Sequence, residues 1–305
     1  MGCVPGSRNN DTAIHHHRAA VPTSQVTTPN VSRFGDGIPV FYAGLNGSKC
    51  FRIPTIIRTS FGTLLAFAEN RFTNCMDVSS RHDIVLRRSS DGGKTWSPMQ
   101  VVVQGTVPCA DCPAAVSNPN PVEVTLQSGS KAILLHYDTL NNPTVKRHGL
   151  DMQKWSYDDG VTWGMAAQIA LPHNIGALVG PSVGIQSAAG TIYFSSAFGA
   201  FTDNGMHTGN PDHWLYWSKD FGRTWESSLP IRGHALDECS IAFLVSAADG
   251  RIAMNCRING LRHRAQLIWA PDGTPISNVT HPLGLRDPIC QGSLLNVRGL
   301  SLIHI

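Results

Sequence analysis

Apolar positions in this chain fall into short runs separated by turn-forming residues, not into long amphipathic stretches. Thr63–Glu69 and Ile84–Arg87 alternate apolar and polar residues, and strand-like runs recur at Ala132–His136, Gln153–Trp155, Thr191–Ser195 and Trp214–Trp217. Period-two patterning over four to eight residues predicts half-buried β-strands, and helical windows are hard to find. Two further strands are predicted at Asp237–Phe243, which has carboxylates at its start, and Gly250–Arg257, which ends in arginine.

A single turn pattern, S-x-D-x-G-x-T-W, follows three of these runs, at Ser89–Trp96, Ser156–Trp163 and Ser218–Trp225, at spacings of 67 and 62 residues. A worn fourth copy lies at Ala270–Thr274. In such a turn Asp and Ser bond backbone amides, Gly takes positive φ, and Trp packs under a neighbouring sheet. A repeat of this length made only of strands predicts propeller blades of about four strands each. The aspartates of these boxes are expected to be structural.

Composition agrees with an all-β chain. Of 305 residues 29 are Gly and 19 Pro, and only 15% are charged. A net charge of +3 is too small for a nucleic-acid footprint, so no nucleic-acid partner is expected. Arginine outnumbers lysine by 18 to 6, which favours planar recognition of carboxylates. The eight cysteines include one C-x-x-C, Cys109–Cys112, with no second pair at zinc spacing; a loop with two thiols is expected, and no disulfide framework. No apolar run is long enough to predict a transmembrane helix.

Residues 1–34 are polar, contain Pro5, Pro22 and Pro29, and have no apolar core of a signal peptide. They are expected to form a disordered leader, with 35–305 as one domain. Four N-x-S/T sequons, at Asn10, Asn30, Asn46 and Asn278, suit a lumenal protein, so lysosomal or other lumenal and cytoplasmic locations both stay open.

Candidate chemistry concentrates between Cys50 and Trp96. Arg52, in Phe51-Arg52-Ile53-Pro54, Arg71, in Glu69-Asn70-Arg71, and the isolated Asp77 all sit at strand ends or in the intervening loop. A rigid sheet can hold such residues toward one pocket. Asp83 rivals Asp77, but its place inside a strand favours a structural role. Glu238 and Arg257, nineteen residues apart, form a second candidate pair, with Asp237 as the rival carboxylate.

An F-R-I-P element, repeated Asp boxes and a glutamate followed nineteen residues later by arginine, in that order, resemble the sialidase (neuraminidase) family, in the manner of animal and bacterial exo-α-sialidases. The resemblance covers roughly residues 45–295. It implies a six-bladed β-propeller with its site at the central axis, of which this chain is expected to cover about four blades and the start of a fifth. Arg52 and Arg257 resemble two members of an arginine triad that clamps the sialic acid carboxylate. Asp77 resembles the acid/base, and Glu238 the glutamate that polarises a tyrosine nucleophile. Glu69, Arg71, Asn118 and Gln291 resemble pocket residues around the sugar.

These residue types suit the chemistry. A carboxylate on the anomeric carbon calls for a bidentate guanidinium, and it would repel an anionic nucleophile, so a tyrosine is used. A phenol of pKa about 10 then needs a neighbouring base. The family places its third arginine and its tyrosine in later blades, beyond Cys290-Gln291-Gly292-Ser293, and no equivalent is found in this sequence. The chain alone is therefore expected to turn over poorly. The implied function is retaining hydrolysis of terminal sialic acid from glycoproteins, gangliosides and oligosaccharides. The alternatives are an inactive sialic acid-binding propeller and an Asp-box interaction scaffold. No cofactor or metal is expected, and membranes would be met only through substrate.

Overall fold

A computed structural model describes residues 37–77, 81–105, 115–139, 150–170, 178–198, 212–244, 249–258, 260–296 and 303–304. The leader expected at 1–34 and the Cys109–Cys112 loop lie outside the described residues. In the unit from Ile38 to Ile305 the strands form four blades of a β-propeller and the opening of a further sheet. The first blade orders β1 (Cys50–Arg58), β2 (Leu64–Arg71), β3 (His82–Ser89) and β4 (Gln100–Val103) as an antiparallel meander. The second repeats it with β5 (Val116–Thr125), β6 (Lys131–Thr139), β7 (Asp151–Ser156) and β8 (Ala167–Gln168). The third holds β9 (Leu178–Val179), β10 (Ile185–Gln186), β11 (Ile192–Phe198), β12 (Asp212–Ser218) and β13 (Glu226–Ser227), with β9 and β10 pairing β11 separately. The fourth has β14 (Leu236–Phe243), β15 (Ile252–Ile258) and β16 (Ala265–Trp269). β17 (Leu294–Leu295) and β18 (Ile303–His304) pair as a further unit. No helix among the described residues is long and apolar enough to cross a membrane.

The first strand of each blade carries an irregularity that alternating hydrophobicity does not reveal. Register shifts fall between Arg52 and Thr55 in β1, between Ser117 and Asn120 in β5, and between Leu236 and Cys239 in β14. A residue with positive φ sits at or beside each one: Ile53 at 54°, Asn118 at 54° and Ala235 at 53°, with Gly180 and Ile289 in corresponding places of the later units. A β-branched residue in that region is strained, and a bulge bends the strand and redirects its side chains. The N-P-x-P element, read from sequence as preceding a strand, is itself part of β5. Pro119 falls within the bulge, where the ladder is interrupted, and Pro121 stands beyond it on a strand at the edge of its sheet.

The three turn boxes share one bonding pattern. Ser89 Oγ donates to Asp91, the Gly93 N–H to Ser89 Oγ, and the Thr95 N–H and hydroxyl to the two Asp91 oxygens. The same bonds join Ser156, Asp158, Gly160 and Thr162, and again Ser218, Asp220, Gly222 and Thr224. These donors hold Asp91 and Asp220 below the usual carboxylate range, Asp220 at about 2 although burial alone would raise it. The second and third boxes then grip the blade before them. Asp159 accepts from Thr63 and Arg88 of the first blade, and Trp163 meets Phe67 edge-on at 6.0 Å. Trp225 packs in the same sense onto Val122 and Leu134 of the second.

Apolar burial therefore lies between sheets. One cluster joins Phe67, Leu86 and Ile84 to Ile133 and Leu135; a second joins Val124 and Leu134 to Phe194 and Tyr216; a third joins Leu215 and Trp217 to Ile241, Met254 and Trp269. Within these layers sit three buried histidines without charge. Burial, helped by Arg71, lowers His82 to about 4, and burial lowers His136 and His213 to about 3. The unfolded chain binds these protons near pH 6.5, so their contribution is complete above that pH and is lost as pH falls toward 4 and below. At roughly 1.4 kcal/mol per unit, His136 alone removes on the order of 3 kcal/mol by pH 4. Calorimetry should show Tm falling from pH 7 to pH 4, with a smaller fall in His136→Phe; equal falls in the two proteins would contradict this account.

Candidate active site

Two opposite-charge pairs stand at the first-strand bulges of the first and fourth blades. In the first blade Arg52 lies opposite Glu69 across β1 and β2, just before the bulge at Ile53. Its Nη1 donates to Asp77 Oδ1 at 2.8 Å and to the Cys75 carbonyl at 3.4 Å. Arg71, at the end of β2, donates through Nη1 to the same Asp77 oxygen at 2.7 Å and to the Cys75 carbonyl at 2.6 Å. Arg71 is buried, whereas the Arg52 and Asp77 side chains are 43% and 66% exposed, so this pair faces solvent.

Behind Arg71, Glu69 is fully buried, and its Oε2 accepts from Arg71 Nε at 2.9 Å. Its other oxygen accepts from the Ser117 hydroxyl and from the Asn118 N–H at 2.9 Å. One carboxylate thus ties β2 to the bulge of β5. Asn118 is itself buried and donates through Nδ2 to Asp138 at 2.9 Å. His82 lies against the same glutamate, with Nδ1 3.9 Å from Oε2, and is neutral for the reason given above. The rival Asp83 is buried, paired with Arg81 and accepting the Gly105 N–H, as its position in a strand predicts.

In the fourth blade Asp237 and Glu238 fall inside the β14 bulge, facing Arg257 near the end of β15. Arg257 donates to Glu238 Oε2 at 2.9 Å and lies 3.7 Å from Asp237 Oδ2, so both carboxylates share one guanidinium. Burial raises the pKa of Glu238, against the opposing pull of Arg257. For Arg257, burial acts downward, and the Glu238 hydrogen bond together with Asp237 outweighs it, leaving a net rise. The Arg52 charge is the weakest of the influences on Glu238 and acts in the same direction as Arg257.

The last candidate, Gln291, donates through Nε2 to the Pro54 carbonyl at 3.2 Å, carrying the chain after the fourth blade back onto the β1 bulge. That segment is organised by a residue the sequence reading missed. Arg264 is buried, bonds Asn255 Oδ1, and donates to the Cys290 carbonyl at 3.0 Å, with Asp287 3.6 Å away. Gly292 makes room for it: a Cβ there would come within 2.7 Å of Arg264 Cζ. Neither residue lies in a motif with a charged partner at a telling interval, so spacing alone could not find the network.

Sequence reading also missed the cysteine pairing. Cys50–Cys75 and Cys239–Cys256 are disulfides, contrary to the expectation of no framework. Strand register brings the second pair together directly, and the loop after β2 brings in the first. Among the tyrosines, Tyr137, Tyr193 and Tyr216 are buried in the inter-blade layers, and Tyr157 is exposed on a box turn, away from both pairs.

A protein-family model described as a BNR repeat-like domain matches residues 62–274. Curated relatives include a sialidase of Bacteroides fragilis, 27% identical over 281 residues, which cover 86% of this chain and 49% of the relative. Human sialidase-4 is 25% identical over 274 residues, covering 80% and 54%. Among solved structures, the Hadza microbial sialidase Hz136 superposes with a TM-score of 0.66 at 25% identity, covering 84% of this chain and 52% of that one. The NanB sialidase of Streptococcus pneumoniae gives 0.67 at 14% identity, covering 88% and 58%, a likeness of fold. The chain spans about half the length of the curated relatives it matches.

Glu69 tests the first pair from behind. Removing it leaves the buried Arg71 guanidinium without its main counter-charge, a change worth about 3–5 kcal/mol when a buried pair is broken. Glu69→Ala should lower the urea midpoint accordingly, whereas Asp77→Ala, at an exposed carboxylate, should shift it by roughly 1 kcal/mol or less. Equal losses in the two variants would refute the burial argument.

Proposed function

This chain belongs to the sialidase family, with a BNR repeat-like domain as its propeller, and from that premise we propose that it releases terminal sialic acid from glycoconjugates as an exo-α-sialidase. One observation carries the reading: the first and fourth blades each hold a carboxylate–guanidinium pair at the bulge of their first strand. Arg52 and Arg257 are the guanidinium groups for the substrate carboxylate, each able to offer a planar two-pronged donor set. Asp77, on its exposed loop, is the acid that protonates the departing glycosidic oxygen. Glu238 is the base that activates the tyrosine nucleophile the family employs. Burial suits it to this role, because a carboxylate with a raised pKa accepts a proton more readily.

The remaining candidates serve these four. Glu69 holds Arg71 and the β5 bulge, Arg71 positions Asp77, Asn118 joins the second blade to the site, and Gln291 closes the chain onto Pro54. The substrates proposed are sialylated glycoproteins, gangliosides and oligosaccharides. The competing scaffold reading gives Arg52 no ligand to bind.

Calorimetric titration with free sialic acid separates the two. Losing a charge-assisted bidentate contact is worth about 1.5–3 kcal/mol, so Arg52→Ala should weaken binding by roughly ten- to a hundredfold. Unchanged affinity in that variant would remove the carboxylate-clamp assignment and leave the scaffold reading standing.

A further inference from the structure

We propose that the Cys50–Cys75 disulfide is the positioning element for Asp77, so that the contact between Asp77 and Arg52 exists only while that pair is oxidised. This rests on the sialic acid reading above for its ligand, and on geometry for the rest. Cys50 opens β1 two residues before Arg52, and Cys75 lies two residues before Asp77. The bridge therefore joins the strand that carries the arginine to the loop that carries the carboxylate. The Cys75 carbonyl is itself a hydrogen-bond acceptor for both Arg52 and Arg71.

Magnitudes show what the covalent tie adds. Within residues 72–77 Asn74 Oδ1 accepts the Met76 N–H at 2.8 Å and Asn74 Nδ2 donates to Thr73 Oγ1 at 3.5 Å. Fixing six backbone residues costs about 1 kcal/mol or more for each. An ion pair to a carboxylate that is two-thirds exposed contributes roughly 0–1 kcal/mol. On that scale the contact to Arg52 cannot hold the loop by itself: the bonds of buried Arg71 to Asp77 and to the Cys75 carbonyl tie the loop to β2, and the crosslink ties it covalently to β1.

The two disulfides also differ in access. Cys75 is exposed and Cys50 half-buried, while Cys239 and Cys256 are both buried in the layer between the third and fourth blades. A mild water-soluble phosphine should open the first bridge and spare the second. The step takes two electrons and two protons, giving two thiols and the phosphine oxide. Alkylation followed by peptide mass spectrometry should label Cys50 and Cys75 after reduction, and Cys290, a free and exposed cysteine among the described residues, before it.

The functional readout is a coupling. In the oxidised protein Asp77 competes with the ligand carboxylate for Arg52, so Asp77→Asn should tighten sialic acid binding about fivefold, the effect of removing one nearby like charge. After reduction, or in the Cys50→Ser/Cys75→Ser double variant, Asp77 is released from Arg52. The same Asp77→Asn change should then alter affinity by less than about 1.5-fold, a non-additivity that general loosening of the fold does not produce. An unchanged fivefold effect in the reduced protein and in the serine variant would overturn the proposal while leaving the sialidase reading intact. Oxidised protein that binds no sialic acid would instead overturn the sialidase reading.

Discussion

Among the described residues the three large core layers are each shared by two neighbouring sheets, and the placement of the charged pairs depends on that sharing. Phe67 and Leu86 need Ile133 and Leu135 of the next blade, and Leu215 and Trp217 need Ile241 and Met254. Arg52 and Glu238 lie 186 positions apart in sequence, and no strand ladder joins the first blade to the fourth. Their relative placement is set by three successive packing layers and by the segment that Gln291 lays on Pro54. The second and third Asp boxes stiffen this arrangement from the outside, because their turns send side chains onto the preceding sheet.

The inner strands solve a different problem. A regular strand points alternate side chains to its two faces, which are both buried along most of β5 and open on one side in β1. Functional groups have to leave the strand toward the axis, and a bulge with a left-handed residue provides that direction. Arg52, Asn118 and Glu238 each lie within three residues of a positive-φ position, at Ile53, Asn118 itself and Ala235. Strain at these places coincides with the site because the same backbone departure produces both.

Much of the fold was legible in the chain. Period-two runs located the strands around Thr63–Glu69, Ile84–Arg87 and Trp214–Trp217, and the structure extends them to β2, β3 and β12, which are buried along nearly their whole length and not on one face as alternation predicts. The boxes were legible because Ser, Asp, Gly and Thr are each required by a distinct bond of one turn. The bulges were not, since Ile53 and Ala235 are residue types that say nothing of positive φ. Glu69 and Arg71 were read as pocket residues, and their burial was hidden: composition cannot tell a charged residue facing a pocket from one buried in a wall. Arg264 and the disulfides escaped for the same reason. Their partners are chosen by three-dimensional register, as when Cys239 and Cys256 meet directly across β14 and β15.

At rest, the site's arginines are already engaged with carboxylates of the chain. Arg52 and Arg71 share Asp77, and Arg257 holds Glu238 and Asp237. Such pairing avoids the cost of leaving a half-buried guanidinium unmatched, and it fixes each side chain where a ligand carboxylate would need it. A binding anion must then displace or share an acceptor, so part of its interaction energy goes into exchanging partners. The two pairs differ in how that exchange can proceed. Asp77 sits on an exposed loop and can turn away, whereas Glu238 is held in a strand bulge and sheltered from water. A group that must deliver a proton to a leaving oxygen gains from the first arrangement, and a group that must remain a base of raised pKa gains from the second.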